Sequence, residues 1–301
     1  MVASSWLWAA FTIVAAAAQT LRNAAQRELT GKLGTVGATQ VRFLFGCPFA
    51  VVFLLALVAA GGTLPRPALY FWPWLFGGAL TQIAATALML AAMGERSFVV
   101  AIAYIKTEPV QVALFGLIFL GDAVSPMMAA AIAIATAGVI IMSMKPGALT
   151  GAAGGGWRAP LLGLSAGAAF ALSAIGFRGA IVSLHQQSYA MAATFTMAAG
   201  LLVQSTLLTM YLALRERAVL TAIMAAWRPS IFAGFMGAVA SQFWFLAFAL
   251  ATAANVRTLA LVEVLFAQAI ARFVFRQPVS AREGAGVMMI VAGVVLLISA
   301  Y

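Results

Sequence analysis

Charged residues make up only 8% of this 301-residue chain, against 64% hydrophobic ones. A water-soluble domain carries about 25% charged residues, so too few are present here to cover a water-facing surface. Acidic groups are the scarcest, seven Asp and Glu in all, and His185 is the single histidine. No His, Cys or carboxylate set has metal-ligand spacing, which leaves no metal and no other cofactor to expect. No Walker-type phosphate loop occurs, so the chain is not expected to hydrolyse ATP, and Gly154 to Gly156 read as linker. The lone cysteine, Cys47, excludes an intramolecular disulfide. No basic stretch is interleaved with aromatics as a nucleic-acid face requires.

Long apolar runs are what the sequence has in abundance, with a mean hydropathy of +1.06. A bilayer is crossed by about 20 residues of helix, whereas barrel strands alternate over roughly 10 residues. The runs here are of the first kind, so the expected fold is an all-α integral membrane protein. Cutting at charges and at Gly or Pro clusters gives ten transmembrane helices, over 3–24, 36–60, 69–93, 97–120, 124–144, 159–180, 187–214, 229–250, 254–275 and 280–300. The first of these lacks the positive n-region of a signal peptide and reads as a spanning helix. Residues 215–228 alternate Arg and Glu with Leu220, Ile223, Met224 and Trp227, as in a short amphipathic helix at the membrane interface.

The ten spans fall into two fives. Moving 155 positions along the chain takes Glu108 to Glu263, Val124 and Ser125 to Val279 and Ser280, the Ala-Gly-Val of 137–139 to that of 292–294, and Trp72 to Trp227. The expected organisation is therefore a first repeat over 1–146, a Gly-rich linker over 147–158 and a second repeat over 159–301. An odd number of spans per repeat returns the chain on the opposite side, so the repeats are inverted, an arrangement that in transporters puts the site near the midplane. Small residues at Ala129, Ala133 and Ala137, and at Gly286 and Gly293, suit close helix packing.

The site candidates are the polar residues inside apolar runs. A charge at the centre of a spanning helix costs roughly 2.5–3.5 kcal/mol on insertion scales, so it faces a cavity or a partner. Lys106 and Glu108 lie in the fourth run beside Pro109, which removes the hydrogen bond to the Ile105 carbonyl and marks a helix break. Tyr104, Glu108 and Gln111 share one helical face, with Lys106 pointing the other way unless Pro109 breaks the helix. Glu263 is a lone carboxylate in the ninth run. It is either a proton acceptor during transport or the static partner of Lys106, Arg22 or Arg178. Gln82 in the third run, and Gln242 with Trp244 in the eighth, supply further polar groups. Each could line a path or bond to a neighbouring helix.

Two inverted five-helix repeats, each with a Glu-bearing fourth helix, a short polar turn and a last helix containing Ala-Gly-Val, resemble the drug/metabolite transporter superfamily. The resemblance is to its EamA-type members and covers nearly the whole chain. Among these, the aromatic amino acid exporters of the YddG type are similar in layout, though they place aromatics where this chain has Lys106, Thr107 and Glu108. The resemblance implies a secondary transporter and no enzyme. It would export amino acids with aromatic or neutral side chains by alternating access through a cavity lined by spans 1, 3, 4, 6, 8 and 9. Substrate would contact Glu108, Lys106, Glu263, Tyr104, Gln111, Gln82, Gln242 and Trp244, with Pro109 as the break. The partners expected are that small solute and membrane lipid, with a monomer sufficient for function, in a bacterial inner membrane.

Orientation is read two ways. The connections after spans 1, 3, 5, 7 and 9 hold thirteen cations, and the other side holds Arg66, Arg178 and Arg257. The positive-inside rule then puts both termini outside. The family resemblance implies cytoplasmic termini, and that is the orientation expected.

Overall fold

A computed structural model of the chain describes residues 6–95, 104–143, 158–186, 188–266 and 280–300. Among the described residues every regular element is a helix. They are α1 (Leu7–Ala59), α2 (Phe71–Glu95), α3 (Glu108–Leu120), α4 (Pro126–Ser143), α5 (Arg158–Ser183), α6 (Tyr189–Arg215), α7 (Arg217–Ala225), α8 (Trp227–Leu250), α9 (Ala253–Leu259) and α10 (Ala281–Ser299). Six of these are long and apolar enough to cross a membrane: α1, α2, α5, α6, α8 and α10. Large apolar side chains also point outward, among them Val52, Leu55, Ile118 and Val295, each more than half exposed. An apolar exterior of this extent suits lipid rather than water, and the chain is a multi-pass helical membrane protein. The expected linker, but for Arg158, lies outside the described residues.

Helix α1 is a hairpin. At Gly34 the backbone turns to φ 68° and ψ 177°, a conformation that only glycine adopts readily. Across the turn the Gln26 amide donates to the Ala38 carbonyl at 2.8 Å. Residues twelve apart in a straight helix would be separated by about 18 Å. The arms 7–33 and 35–59 therefore run back along each other, each long enough to span.

Two compact units emerge, and each draws on both halves of the sequence. The first comprises Met1–Ile83 and Leu172–Ala251. Here α8 lies against α1, where Gly234 packs on Phe45 and Gly46 faces the Gly234 carbonyl. Helices α2 and α5 cross at Gly78 and Gly176, and Phe177, 1% exposed, packs at a 45° tilt against Phe245 with ring centroids 4.7 Å apart. Helix α7 falls in the expected interfacial segment, with Ile223 buried near Gly37, while Met224 and Trp227 stay exposed.

The second unit comprises Ala84–Ala171 and Thr252–Tyr301. Its core is the α4–α10 crossing, where Ala135, Val139, Leu261 and Ile290 are fully or almost fully buried. A Cβ added at Gly138 would lie 2.8 Å from the Gly286 carbonyl oxygen, and one at Gly293 would lie 2.7 Å from the Ala135 Cβ and 2.8 Å from the Ala131 carbonyl oxygen. The packing face of α4 is thus Ala131, Ala135 and Gly138. The expected stripe shifts accordingly, since Ala129 and Ala133 are exposed. Both helices begin at serine caps: Ser125 Oγ accepts from the Met128 amide, and Ser280 Oγ from the Glu283 amide. At Ser280 the Glu283 carboxylate returns a bond from the Ser280 amide, completing a capping box.

Candidate functional site

The site residues of the second unit follow from one missing N–H. Pro109 cannot donate to the Ile105 carbonyl, and the helix carrying Tyr104 and Ile105 stops there, turns through Lys106 and Thr107, and restarts as α3 at Glu108. Four-residue turns bridge the break, with the Thr107 amide donating to the Tyr104 carbonyl at 3.3 Å and Val110 to Thr107 at 3.2 Å. The Thr107 hydroxyl also donates to the Tyr104 carbonyl, at 2.8 Å. Helix α5 passes close by because residue 167 is glycine. A Cβ there would stand 3.1 Å from the Ile105 carbonyl oxygen and 3.4 Å from Gln111 Oε1.

A second break lies in the segment that follows α8. Helix α9 ends at Leu259, residues 260 and 261 form a turn, and helix resumes through Val262 to Phe266. Glu263 sits just past that turn. Its carboxylate accepts a hydrogen bond from Lys106 Nζ, and the side chains are 11% and 10% exposed. The break at Pro109 is what turns Lys106 away from the opposite helical face and allows this contact. Of the partners open to Glu263 in the sequence, Lys106 is one that it meets.

Glu108 meets Arg257, with Oε1 and Nε 3.1 Å apart and side chains 10% and 8% exposed. The guanidinium N–H does not aim along that line, so the contact is a charge pair rather than a well-formed hydrogen bond. Helix ends reinforce it: Glu108 opens α3, where the partial charge is positive, and Arg257 closes α9, where it is negative. The result is two cations and two anions, all about nine-tenths buried, at two interrupted helices of one unit. Gln111 stands one turn along α3, with Nε2 3.4 Å from the Thr107 hydroxyl and a buried Oε1 that makes no hydrogen bond. Tyr104 is half-buried beside the break.

Arg257 is the residue that reading the sequence missed. It counts there as a loop cation next to a span boundary, yet it lies within α9 and is 7% exposed. Three other cations counted as loop charges are likewise buried or bonded within the helical bundle of the first unit. Arg22 and Arg42 in α1 are 1% and 2% exposed, and Arg178 of α5 donates to the Phe248 and Ala251 carbonyls at 2.8 and 2.6 Å, capping the end of α8.

The remaining expected site residues belong to the first unit, and each spends a polar group on another helix. Gln82 accepts from Gln204 Nε2 at 2.9 Å. Gln242 donates to the Thr194 hydroxyl at 2.7 Å. Trp244 donates its indole N–H to Gln19 at 3.1 Å and stacks on Phe248. The described residues contain no group of three or more His, Cys, Asp or Glu placed to hold a metal ion.

No protein-family model matches the sequence, and no curated protein matches it. The fold is nevertheless shared, with 28 chains of solved structures matching. One crystal structure of a protein aligns over 98% of this chain and 97% of its own with a TM-score of 0.70 and 16% identity.

Proposed function

We propose that the chain is an EamA-type secondary transporter that exports small metabolites by alternating access, with amino acids bearing aromatic or neutral side chains as its cargo. The observation that carries this reading is the buried quartet of Lys106, Glu108, Arg257 and Glu263 at two helix breaks in an otherwise apolar helical protein. Interrupted helices offer backbone and charged groups to a solute at membrane depth, where such groups are otherwise costly. Lys106 and Arg257 suit the carboxylate of a zwitterion, Glu108 and Glu263 suit its ammonium, and the apolar surroundings accept its side chain. Entry of the solute exchanges an internal ion pair for a ligand contact.

On this reading the two arms of α1 and the two broken segments each count as a span, which would make ten helices in two inverted repeats. Internal correspondences support the duplication. The serine caps are 155 residues apart, and the turns at 106–107 and 260–261 correspond to within one residue. The same shift carries the contact of Gly138 with Gly286 onto that of Gly293 with Ala131. Applied to Lys106 and Glu263 it gives Leu261 and Glu108, so the charge pattern is where the halves have diverged.

We place this carrier in a bacterial inner membrane with both termini outside, against the orientation that the family resemblance implies. Setting aside the buried Arg22, Arg42 and Arg257 and the carbonyl-bonded Arg178 leaves eleven cations on one side and Arg66 alone on the other. A periplasm-dependent alkaline phosphatase fused after residue 301 should then be active, and an inactive fusion would reverse the assignment.

Uptake and counterflow of labelled Phe, Trp, Thr and Met in proteoliposomes, with and without a pH gradient and beside Glu108→Gln, test the function. Saturable flux lost in the variant is the expected result. Flux of none of them would discard the amino acid reading and direct the search to sugars, nucleosides, polyamines or drugs.

A further inference from the structure

We infer that the two internal ion pairs allow the empty carrier to reorient, so that the protein catalyses net flux and is not restricted to one-for-one exchange. The inference rests on the transporter reading above and adds to it the mode of transport.

A carrier must return without cargo if it is to move solute one way. That step is slow when emptying the site leaves a buried charge with nothing to neutralise it, because an unpaired ion in a low-dielectric interior is strongly unfavourable. Here the neutralising charges are built in. Lys106 holds Glu263 and Glu108 holds Arg257, within a single compact unit and at about one-tenth exposure. Each pair joins a residue of the first half to one of the second, so emptying the site closes contacts across the two broken helices. A zwitterion brings one charge of each sign, and the site stays neutral when loaded as well. Neither the loaded nor the empty form then meets an electrostatic barrier that the other avoids.

Glu263→Gln breaks this balance, because it leaves Lys106 without its carboxylate whenever the site is empty, while a bound substrate carboxylate still neutralises it. The ratio of net release to exchange should therefore fall, on the order of 100- to 1,000-fold, the rate equivalent of removing one partner of a buried pair. Lys106→Met added to Glu263→Gln removes both charges and should restore that ratio.

The test uses proteoliposomes of the full chain loaded with labelled Phe and diluted into buffer with or without unlabelled Phe. The inference expects the wild type to release label at comparable rates in both. Release only when external Phe is present would overturn it, as would a Glu263→Gln variant that keeps the wild-type ratio. Should neither buffer elicit release of Phe or of the other panel amino acids, the transporter reading itself fails, and this inference with it. The wild-type comparison alone separates those cases, whatever the folding of the variants.

Discussion

Removing Arg257 should expose how much the site depends on charge balance. At the observed separation of 3.1 Å, its attraction to Glu108 is about 5 kcal/mol at an effective dielectric of 20. Taking both ions out of water offsets much of that gain, so the pair as a whole contributes little net stability. Arg257→Met is different, because it takes the nearest cation from a carboxylate at about one-tenth exposure and leaves two buried carboxylates to share Lys106, a loss of up to about 3–5 kcal/mol. In a chain of this size such a loss corresponds to a fall of roughly 10 °C in apparent melting temperature. Adding Glu108→Met removes the orphaned charge and should recover most of that loss. Fluorescence-detected size exclusion of detergent-solubilised protein heated in steps measures all three proteins. If Arg257→Met melts with the wild type, or if the double variant is less stable than either single variant, the two charges do not neutralise each other and the account of the site is wrong.

Gly286→Ala should separate α4 from α10. The added Cβ would fall 2.6 Å from the Gly138 carbonyl oxygen and 2.7 Å from the Met142 Cβ, and backbone cannot yield as a flexible side chain does. A cost of about 1–3 kcal/mol is expected in the same melting assay, against no effect for alanine at Gly284, which meets nothing within 4 Å. Ser280→Ala should cost about 1 kcal/mol through loss of the capping box, and Ser125→Ala a similar amount or less, since only one cap bond is lost there. Gly34→Ala meets no atom, so its cost is conformational alone, about 1–3 kcal/mol for the positive-φ, extended-ψ backbone of the α1 turn.

The all-helical membrane class was legible because its signal, apolar length, is local. Apolar length gives spans, Pro109 gives the break, and the constant shift that pairs Glu108 with Glu263 also pairs the two serine caps. The Lys106 contact with Glu263 was among the open options, and the helix break made it the geometric outcome. Arg257 was not legible: hydropathy cannot distinguish a cation at the end of a spanning helix from one inside a seven-residue helix held between two turns. The same ambiguity placed Arg22 and Arg42 in connections, although both are buried along α1 near Gly237. For Gln82, Gln242 and Trp244 the deciding information is the partner on another helix, at Gln204, Thr194 and Gln19, and no spacing within one segment reveals it.

Substrate protection of the helix break tests most directly whether solute binds beside Lys106 and Glu108. Cys47 is the only cysteine, so Cys47→Ala with Gln111→Cys carries one thiol, one turn along α3 from Glu108. The rate of its modification by a water-soluble maleimide is measured in proteoliposomes, with and without a saturating amino acid that the wild type carries. The account predicts labelling that the carried amino acid slows and that an amino acid not carried leaves unchanged. Labelling at the same rate in all three conditions, under which the variant still transports, would place the solute elsewhere and contradict the assignment.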